Sequence, residues 1–421
     1  MRHRILAIGF VLGLAGCFAG EEPLPPREAL TRAAARIEAI QAEERVFVVS
    51  PGGLEPAQRP DDPKAVSLWF CTHPLLSVLI GRPELLAAFN ARHANAELRV
   101  HYIGDWHVAV QKLTVSLAAG DLPDIALVNR AWLSRLVTSG RIAELDTLLP
   151  AWLLDDLRPE SREAFTAAGH LYAVAADGFC SVMFYNRDRI EEEPPQTWDG
   201  LQRMAGEFGA PAPGARAATY PLGDLPFLEA LYSAGGWVVE GPRCGLNEPE
   251  AHDALDYVLR FRDDRLAHPR ALGNPERAFE LFLAGEVAMT VASSDHWERA
   301  KRAPFRAVMA PVPGKSGPVS LLSDSALVVF RRFADAKRAA IADVLAFLTG
   351  PELQGEGAAS RGSAPVRRRV AEEVAVQPGL ETAYGAARFT PLVGAWGAIE
   401  FELVRHLGLA YRFEAENART P

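Results

Sequence analysis

The stretch from Leu98 to Gly140 reads LRVHYIGDWHVAVQKLTVSLAAGDLPDIALVNRAWLSRLVTSG, and two strand–helix repeats are written in it. Leu98 to Ile103 alternates apolar and polar residues, the period of a strand. Trp106 to Ala119 carries apolar residues at helical spacing and stops at Gly120, a residue free to take the left-handed turn that closes a helix. Asp124 to Val128 is a short apolar run of the kind a doubly covered strand needs. Ala131 to Ser139 is a second helix, stopped by Gly140. Strand, helix, strand and helix at these lengths predict an α/β fold with a largely parallel sheet.

The pattern continues outward in both directions. Ala65–Phe70 precedes it as a strand and Glu84–His93 as a helix. Later strands are expected at Val182–Tyr185, Val287–Val291, Ala307–Ala310 and Ala326–Phe330. Helices are expected at Trp198–Phe208, Pro226–Ala234, Pro249–Asp263, Pro275–Ala284 and Ala336–Leu348. The folded body should begin at Lys64. Ahead of it lie a Glu/Pro-rich tether (18–30), a helix of strong formers at Thr31–Glu44, and a linker at Gly52–Pro63. The 421 residues allow two or three domains, and no internal repeat is visible.

The amino terminus carries a different signal. Met1-Arg2-His3-Arg4 is basic, Ile5–Gly16 is apolar but too short to span a bilayer, and small residues precede Cys17. That is the layout of an export signal. Leu14-Ala-Gly-Cys17 resembles a bacterial lipobox, which implies a signal peptide over 1–16, cleavage before Cys17 and acylation of its thiol. Two or more acyl chains hold a protein stably at a membrane where one does not. An ordinary signal peptide with a chance cysteine is the alternative. Phe18 leaves open which membrane holds the chain. Net charge is −9, and phosphate backbones require concentrated Lys and Arg, so nucleic acid is excluded as a partner. Cys71, Cys180 and Cys244 remain; one disulfide is possible after export, with three pairings open, or all three are small buried apolar residues.

Eight segments between roughly residues 64 and 400 resemble family 1 extracellular solute-binding proteins, the sugar-capturing subunits of ABC importers. Leu117-Ala-Ala-Gly-Asp-Leu-Pro-Asp-Ile125 is similar to the family's AAGxxPDI step, Gly140-Arg-Ile-Ala-Glu-Leu-Asp146 to GxLxxLD, and Gly169-His-Leu-Tyr-Ala-Val174 to GKxYxxP, with Ala175 in place of the family's proline. Phe184-Tyr-Asn-Arg-Asp188 resembles xYNKDL, Pro194-Pro-Gln-Thr-Trp-Asp199 resembles PPKTWDE, and Phe282-Leu-Ala-Gly-Glu-Val-Ala-Met-Thr-Val291 resembles FxxGxxAMxx. Pro311-Val-Pro-Gly314 and Phe347-Leu-Thr-Gly-Pro-Glu-Leu-Gln354 complete the series. The same segments also read locally: Thr197 caps the helix that follows it, and Pro313-Gly314 is turn chemistry.

The resemblance implies a type II periplasmic-binding-protein fold: two α/β lobes, a multi-strand hinge and a ligand cleft between them. It places lobe one at 64–177 and 318–362, and lobe two at 178–317 and 363–421. It implies capture of a sugar or oligosaccharide by hinge closure, delivery to the transmembrane subunits of an ABC permease, and a monomer that is not an enzyme and has no cofactor or metal. The exported chain would sit on the periplasmic or cell-surface face, anchored through Cys17. Capture of a polyol phosphate, a sensory lipoprotein, and a glycoside hydrolase with two cleft carboxylates are the other readings.

Open α/β sheets bind ligands at the carboxyl ends of strands, and this selects candidate contacts. Thr72 and His73 follow the first strand; His73 before Pro74 reads equally as a loop residue satisfied by backbone. Asn129 and Arg130 follow the third strand; Arg130 reads equally as a solvated helix-start charge. Asp177 lies at the first expected crossing, as contact or turn. Asp295 and Trp297 follow Val287–Val291. Trp396, between glycines and alanines, is expected as an indole platform for a sugar face or as a core tryptophan. Trp237, Asp324 and Arg361 complete the set; Arg361 reads also as part of a basic face with Arg367, Arg368 and Arg369. A phosphate loop at Gly314-Lys-Ser316 fails because residue 309 is Met. No Gly-x-Ser-x-Gly elbow occurs, and His101 and His107 have poor metal spacing.

Overall fold

The computed structural model describes residues 21–44, 62–208, 216–219, 224–264, 266–268, 274–322 and 325–412. Helix α1 (Pro26–Glu44) comes first. It starts earlier than composition suggests because proline is tolerated in a first turn, where its missing N–H costs nothing. Ala29, Leu30, Ala33, Ala34 and Ile37 recur at helical spacing along one side, and all are buried.

Strand β1 (Ala65–Phe70) runs parallel to β2 (Glu97–Tyr102) on one side and to β3 (Ile125–Val128) on the other. Helices α2 (Trp106–Ala119) and α3 (Arg130–Ser139) follow β2 and β3. The side chains of Asp105 and Asn129 accept from the backbone N–H of Val108 and Trp132 at 3.0 and 2.9 Å, which satisfies otherwise unpaired helix-start donors. Gly120 and Gly140 stop the two helices at φ +73° and +65°, as expected of residues without a Cβ. After α4 (Pro159–Ala164), the three-residue β4 (Ala173–Ala175) takes an edge of this sheet.

A second sheet begins with β5 (Ser181–Asn186), and adds β6 (Arg216–Thr219), β7 (Val287–Ser293) and β8 (Ala307–Ala310), in the order β8-β5-β7-β6. Strand β5 is antiparallel to both neighbours, and β7 is parallel to β6. All six residues of β5 are buried. Val182 and Phe184 join one core and Met183 and Tyr185 another, as the two-residue period of a strand between two covered faces demands. Helices α5 (Asp224–Ser233) and α6 (Pro249–Asp263) belong to the second core.

The chain then returns. Strand β9 (Ser320–Leu321) precedes β10 (Ala326–Val329), which inserts between β3 and β4, antiparallel to both. Helix α7 (Arg338–Leu348) covers the first sheet. Helix α8 (Pro378–Gly385), β11 (Ala387–Arg388) and α9 (Trp396–Arg412) finish the described chain on the second body. Backbone pairing dates the crossings. Val319 still donates to Val312, and β9 pairs with β11; among the described residues, bonding to the first body resumes at Ser325, which accepts from Ala176, and continues from Ala326. At the third crossing, Val366 accepts from Arg158 and Arg367 pairs with Leu157, so the segment after Gly362 stays bonded to the first body for several residues.

Cys71, Cys180 and Cys244 are free and buried, the small-apolar reading rather than the disulfide. Burial pushes the thiols of Cys71 and Cys180 up to about 12 and that of Cys244 to about 11. Cys17 and Asp324 lie outside the described residues.

Candidate functional site

The carboxyl ends of β1 and β3, the loop after β4 and the loop after β7 hold most of the predicted contacts. Their fates differ. Thr72 is exposed at the end of β1, and its hydroxyl lies 2.8 Å from the Tyr102 hydroxyl at the end of β2. Tyr102 is half exposed and its ring meets Phe70 edge-on, leaving a hydroxyl pair and an aromatic face at the rim of the first body. The sequence reading missed Tyr102, which hides at the end of a run that looks like any alternating strand.

His73 turns the other way. It is buried, its Nδ1 accepts from the Leu76 amide at 3.3 Å, and its Nε2 therefore carries the proton donated to Asp177 Oδ2 at 2.6 Å. Asp177 is buried as well, and its other oxygen accepts from the Phe179 amide. Next to it, Gly178 donates to Ser363 Oγ and accepts from Ala364 N. A Cβ on Gly178 would stand 2.0 Å from the Ala364 carbonyl oxygen, so only glycine lets these two crossing strands approach. His73 and Asp177 thus satisfy each other inside the crossing rather than facing solvent.

Asn129 spends its side chain on capping α3. Arg130, one residue on, is buried and is not a solvated charge. Its guanidinium lies 4.9 Å from the Phe389 ring centroid and 5.9 Å from that of Phe165, and its Nε donates to the Thr390 carbonyl at 2.5 Å. Phe165 belongs to the first body and Phe389–Thr390 to the loop between β11 and α9 of the second. A buried guanidinium needs such partners, because an unpaired charge out of water is expensive. Tyr232 on α5 stands close enough for the Arg130 charge to pull against the burial that raises its hydroxyl's pKa. That hydroxyl is buried and makes no hydrogen bond among the described residues. Neither Tyr232 nor Phe389 carries a spacing signal; only the fold brings them to Arg130.

The loop after β7 is occupied. The Asp295 carboxylate accepts from His296 Nδ1 at 3.0 Å, His296 Nε2 lies 3.4 Å from Glu276, and Arg299 pairs with Glu276 at 2.6 Å. Burial works against the His296 cation, but the two carboxylates outweigh it and raise its pKa to about 9. Burial likewise opposes the Asp295 anion, yet the His296 and Ser293 hydrogen bonds hold its carboxyl below the ordinary range. Trp297 is partly buried; its Cβ would lie 2.8 Å from a Cβ on Gly362, which sits at φ +71°. Arg361 is half-buried, with an Nε that has no hydrogen-bond partner among the described residues.

The two other expected aromatic contacts, Trp396 and Trp237, both pack within the second body. Trp396 is 3% exposed in the second core. Its small neighbours are compatible with close packing, and the indole lies in the same core as Ile399 and Leu403 of α9. Trp237 packs against Gly245 and lies 5.1 Å under the Arg243 guanidinium, which leaves it engaged within the second body. Among the described residues there is no His, Cys, Asp and Glu cluster that would hold a metal, and no helix is long and apolar enough to cross a membrane. The arrangement offers hydrogen bonding and stacking at a junction of two bodies.

Comparison with known proteins fits that geometry. The model of the bacterial extracellular solute-binding protein family matches residues 84–382. A maltotriose-binding protein of Pyrococcus abyssi is 24% identical over 305 residues, covering 68% of this chain and 66% of the relative, so the chain spans just under two thirds of that protein. The sugar-binding protein MalE from Xanthomonas citri superposes with a TM-score of 0.72 at 20% identity, over 84% of this chain and 94% of that one. A cyclic alpha-maltosyl-1,6-maltose binding protein from Arthrobacter globiformis gives 0.69 at 22%, over 84% and 95%. The fold is that of the type II periplasmic binding proteins, and these relatives are binding proteins rather than enzymes. The family match runs from residue 84 to residue 382, within α8 of the second body, across the junction that Arg130 spans, and with it this chain belongs to the bacterial extracellular solute-binding proteins.

Proposed function

We propose that the chain is the capture subunit of an ABC importer, held at the membrane through acylated Cys17, and that it takes a sugar or oligosaccharide between its two bodies for delivery to a permease. The maltotriose- and maltose-type relatives support the substrate class. The observation that carries the reading is Arg130: a cation on the first body seated on the Phe389 ring and Thr390 carbonyl of the second. Such a residue has different partners when the bodies are apart and together, and a ligand that adds contacts across the same junction biases the closed form. The Tyr232 hydroxyl, buried and without a hydrogen bond among the described residues, and the Thr72–Tyr102 pair are the groups best placed to meet a ligand's hydroxyls. Binding by closure needs no covalent step.

The test is a thermal-shift panel of maltose, maltotriose, longer glucans, glycerol phosphate and amino acids, followed by calorimetric titration of the hits. Ligand at 100 times Kd stabilises by about 2.7 kcal/mol. A shift with the glucans and none with the others supports the reading. A shift confined to the phosphorylated compound replaces the sugar with an anionic solute. Consumption of any glucan without a stable complex removes the binding-only reading.

A further inference from the structure

Among the described residues, helix α1 packs on the second body. Its buried stripe packs on α9 and on the loop entering α6, and Glu38 Oε1 accepts from the Cys244 amide at 3.3 Å. The segment ahead of it is pinned as well: Glu21 accepts from Arg405 Nε and Nη2 at 3.0 and 2.8 Å, and the Leu24 amide donates to the Leu409 carbonyl at 3.3 Å. A cavity of about 580 Å³ opens beside these contacts, lined by Arg32, Arg36, Arg405 and His406 with Glu21 and Glu22. Only three residues lie between Cys17 and Glu21, and the four Cα–Cα steps reach at most about 14 Å.

We propose that the α1–α9 end of the second body is a membrane-facing surface, held against the lipid headgroups by the anchor at Cys17, so that the first body is the one that swings. This rests on the reading of Cys17 as the acylated residue. The occupant is the bilayer that holds the anchor: the tether is too short to let another face of the second body reach it.

The experiment uses the full-length chain purified from membranes and returned to vesicles of phosphatidylethanolamine and phosphatidylglycerol. Mass spectrometry of the amino-terminal peptide first establishes the acyl chains. Single spin labels are then placed at exposed positions, through Arg27→Cys and Arg412→Cys beside the anchor and Val115→Cys and Trp152→Cys on the first body. Relaxation by a nickel-chelating lipid is read at each. The proposal predicts at least a threefold stronger effect at 27 and 412 than at 115 and 152, and loss of that contrast when a twenty-residue Gly/Ser spacer is inserted between Gly20 and Glu21. Equal relaxation on both bodies, or a contrast that survives the spacer, overturns it. An amino-terminal peptide without acyl chains overturns the anchoring reading itself, and the mass distinguishes the two failures.

Discussion

The imidazole of His73 and the carboxylate of Asp177, 104 residues apart in sequence, lie 2.6 Å from each other (Nε2 to Oδ2) and tie the carboxyl end of β1 to the first crossing between the two bodies. Both are buried, at 5% and 1% side-chain exposure. A pair so enclosed holds a hinge strand in place, because neither partner has water to fall back on. Asp177→Ala strands the His73 N–H and should cost about 1–3 kcal/mol, the desolvation of an unmet buried donor. Asp177→Asn keeps an acceptor carbonyl and should cost less. Urea denaturation at constant pH separates the two; equal stability of Asp177→Ala and the parent chain contradicts the assignment.

Arg130 and Tyr232 should separate binding from stability. Arg130→Ala removes the bridge to Thr390 and the stack on Phe389, a loss of about 2 kcal/mol that corresponds to roughly 30-fold weaker binding of maltotriose. Arg130→Lys should recover little, since an ammonium cannot reproduce a flat guanidinium on a ring. Tyr232→Phe deletes a hydroxyl with no hydrogen bond among the described residues. It should leave the melting temperature unchanged or raised while weakening sugar binding several-fold. Calorimetric titration and melting curves of the same preparations decide; a Tyr232→Phe variant with unchanged affinity removes Tyr232 from the site.

The His296 cluster predicts a pH dependence with a definite sign. The folded pKa of about 9 lies above the ordinary 6.5 of histidine, so its stabilisation is complete below about pH 6.5 and is lost as pH rises through 9. The ceiling is about 3 kcal/mol, from 1.36 kcal/mol per pKa unit. Asp295 and Glu276, held below their ordinary range, act oppositely and lose their contribution only as the solution becomes strongly acid. Parent stability should therefore fall between pH 7 and 10 more steeply than that of His296→Gln. Parallel curves contradict the paired cation.

The three thiols should be silent in the folded protein. Burial holds Cys71 and Cys180 at about 12 and Cys244 at about 11, and the thiolate is the reactive form. An aromatic disulfide reagent at pH 8 should label fewer than one of them per native chain over minutes, and all three in urea. Rapid native labelling contradicts the packing.

The long elements were legible because periodicity and stop signals agreed: α2 ends at Gly120 and α3 at Gly140, where φ is positive. The three-residue β4 was not, since Ala173–Ala175 is a strand only by virtue of pairing with β10, which arrives about 150 residues later. At the site, chain position predicted that Arg130 and Asp177 would sit at strand ends, yet not what they touch. Trp396 illustrates the limit: glycine and alanine on either side are equally compatible with an open indole and with close helix packing. What decides is the second core, to which α1, α5, α6 and α9 all contribute and which exists only once they are packed together.

Closure over a ligand is tested most directly by a pair of spin labels across the junction. Val115→Cys on the first body and Phe401→Cys on the second are both exposed, and the buried native thiols need no removal. Pulsed dipolar spectroscopy should give a broad distance distribution without ligand and a narrowed, shifted one at saturating maltotriose, with the Arg130→Ala variant staying broad. A distribution that does not change while calorimetry confirms bound sugar would contradict closure across the Arg130 junction.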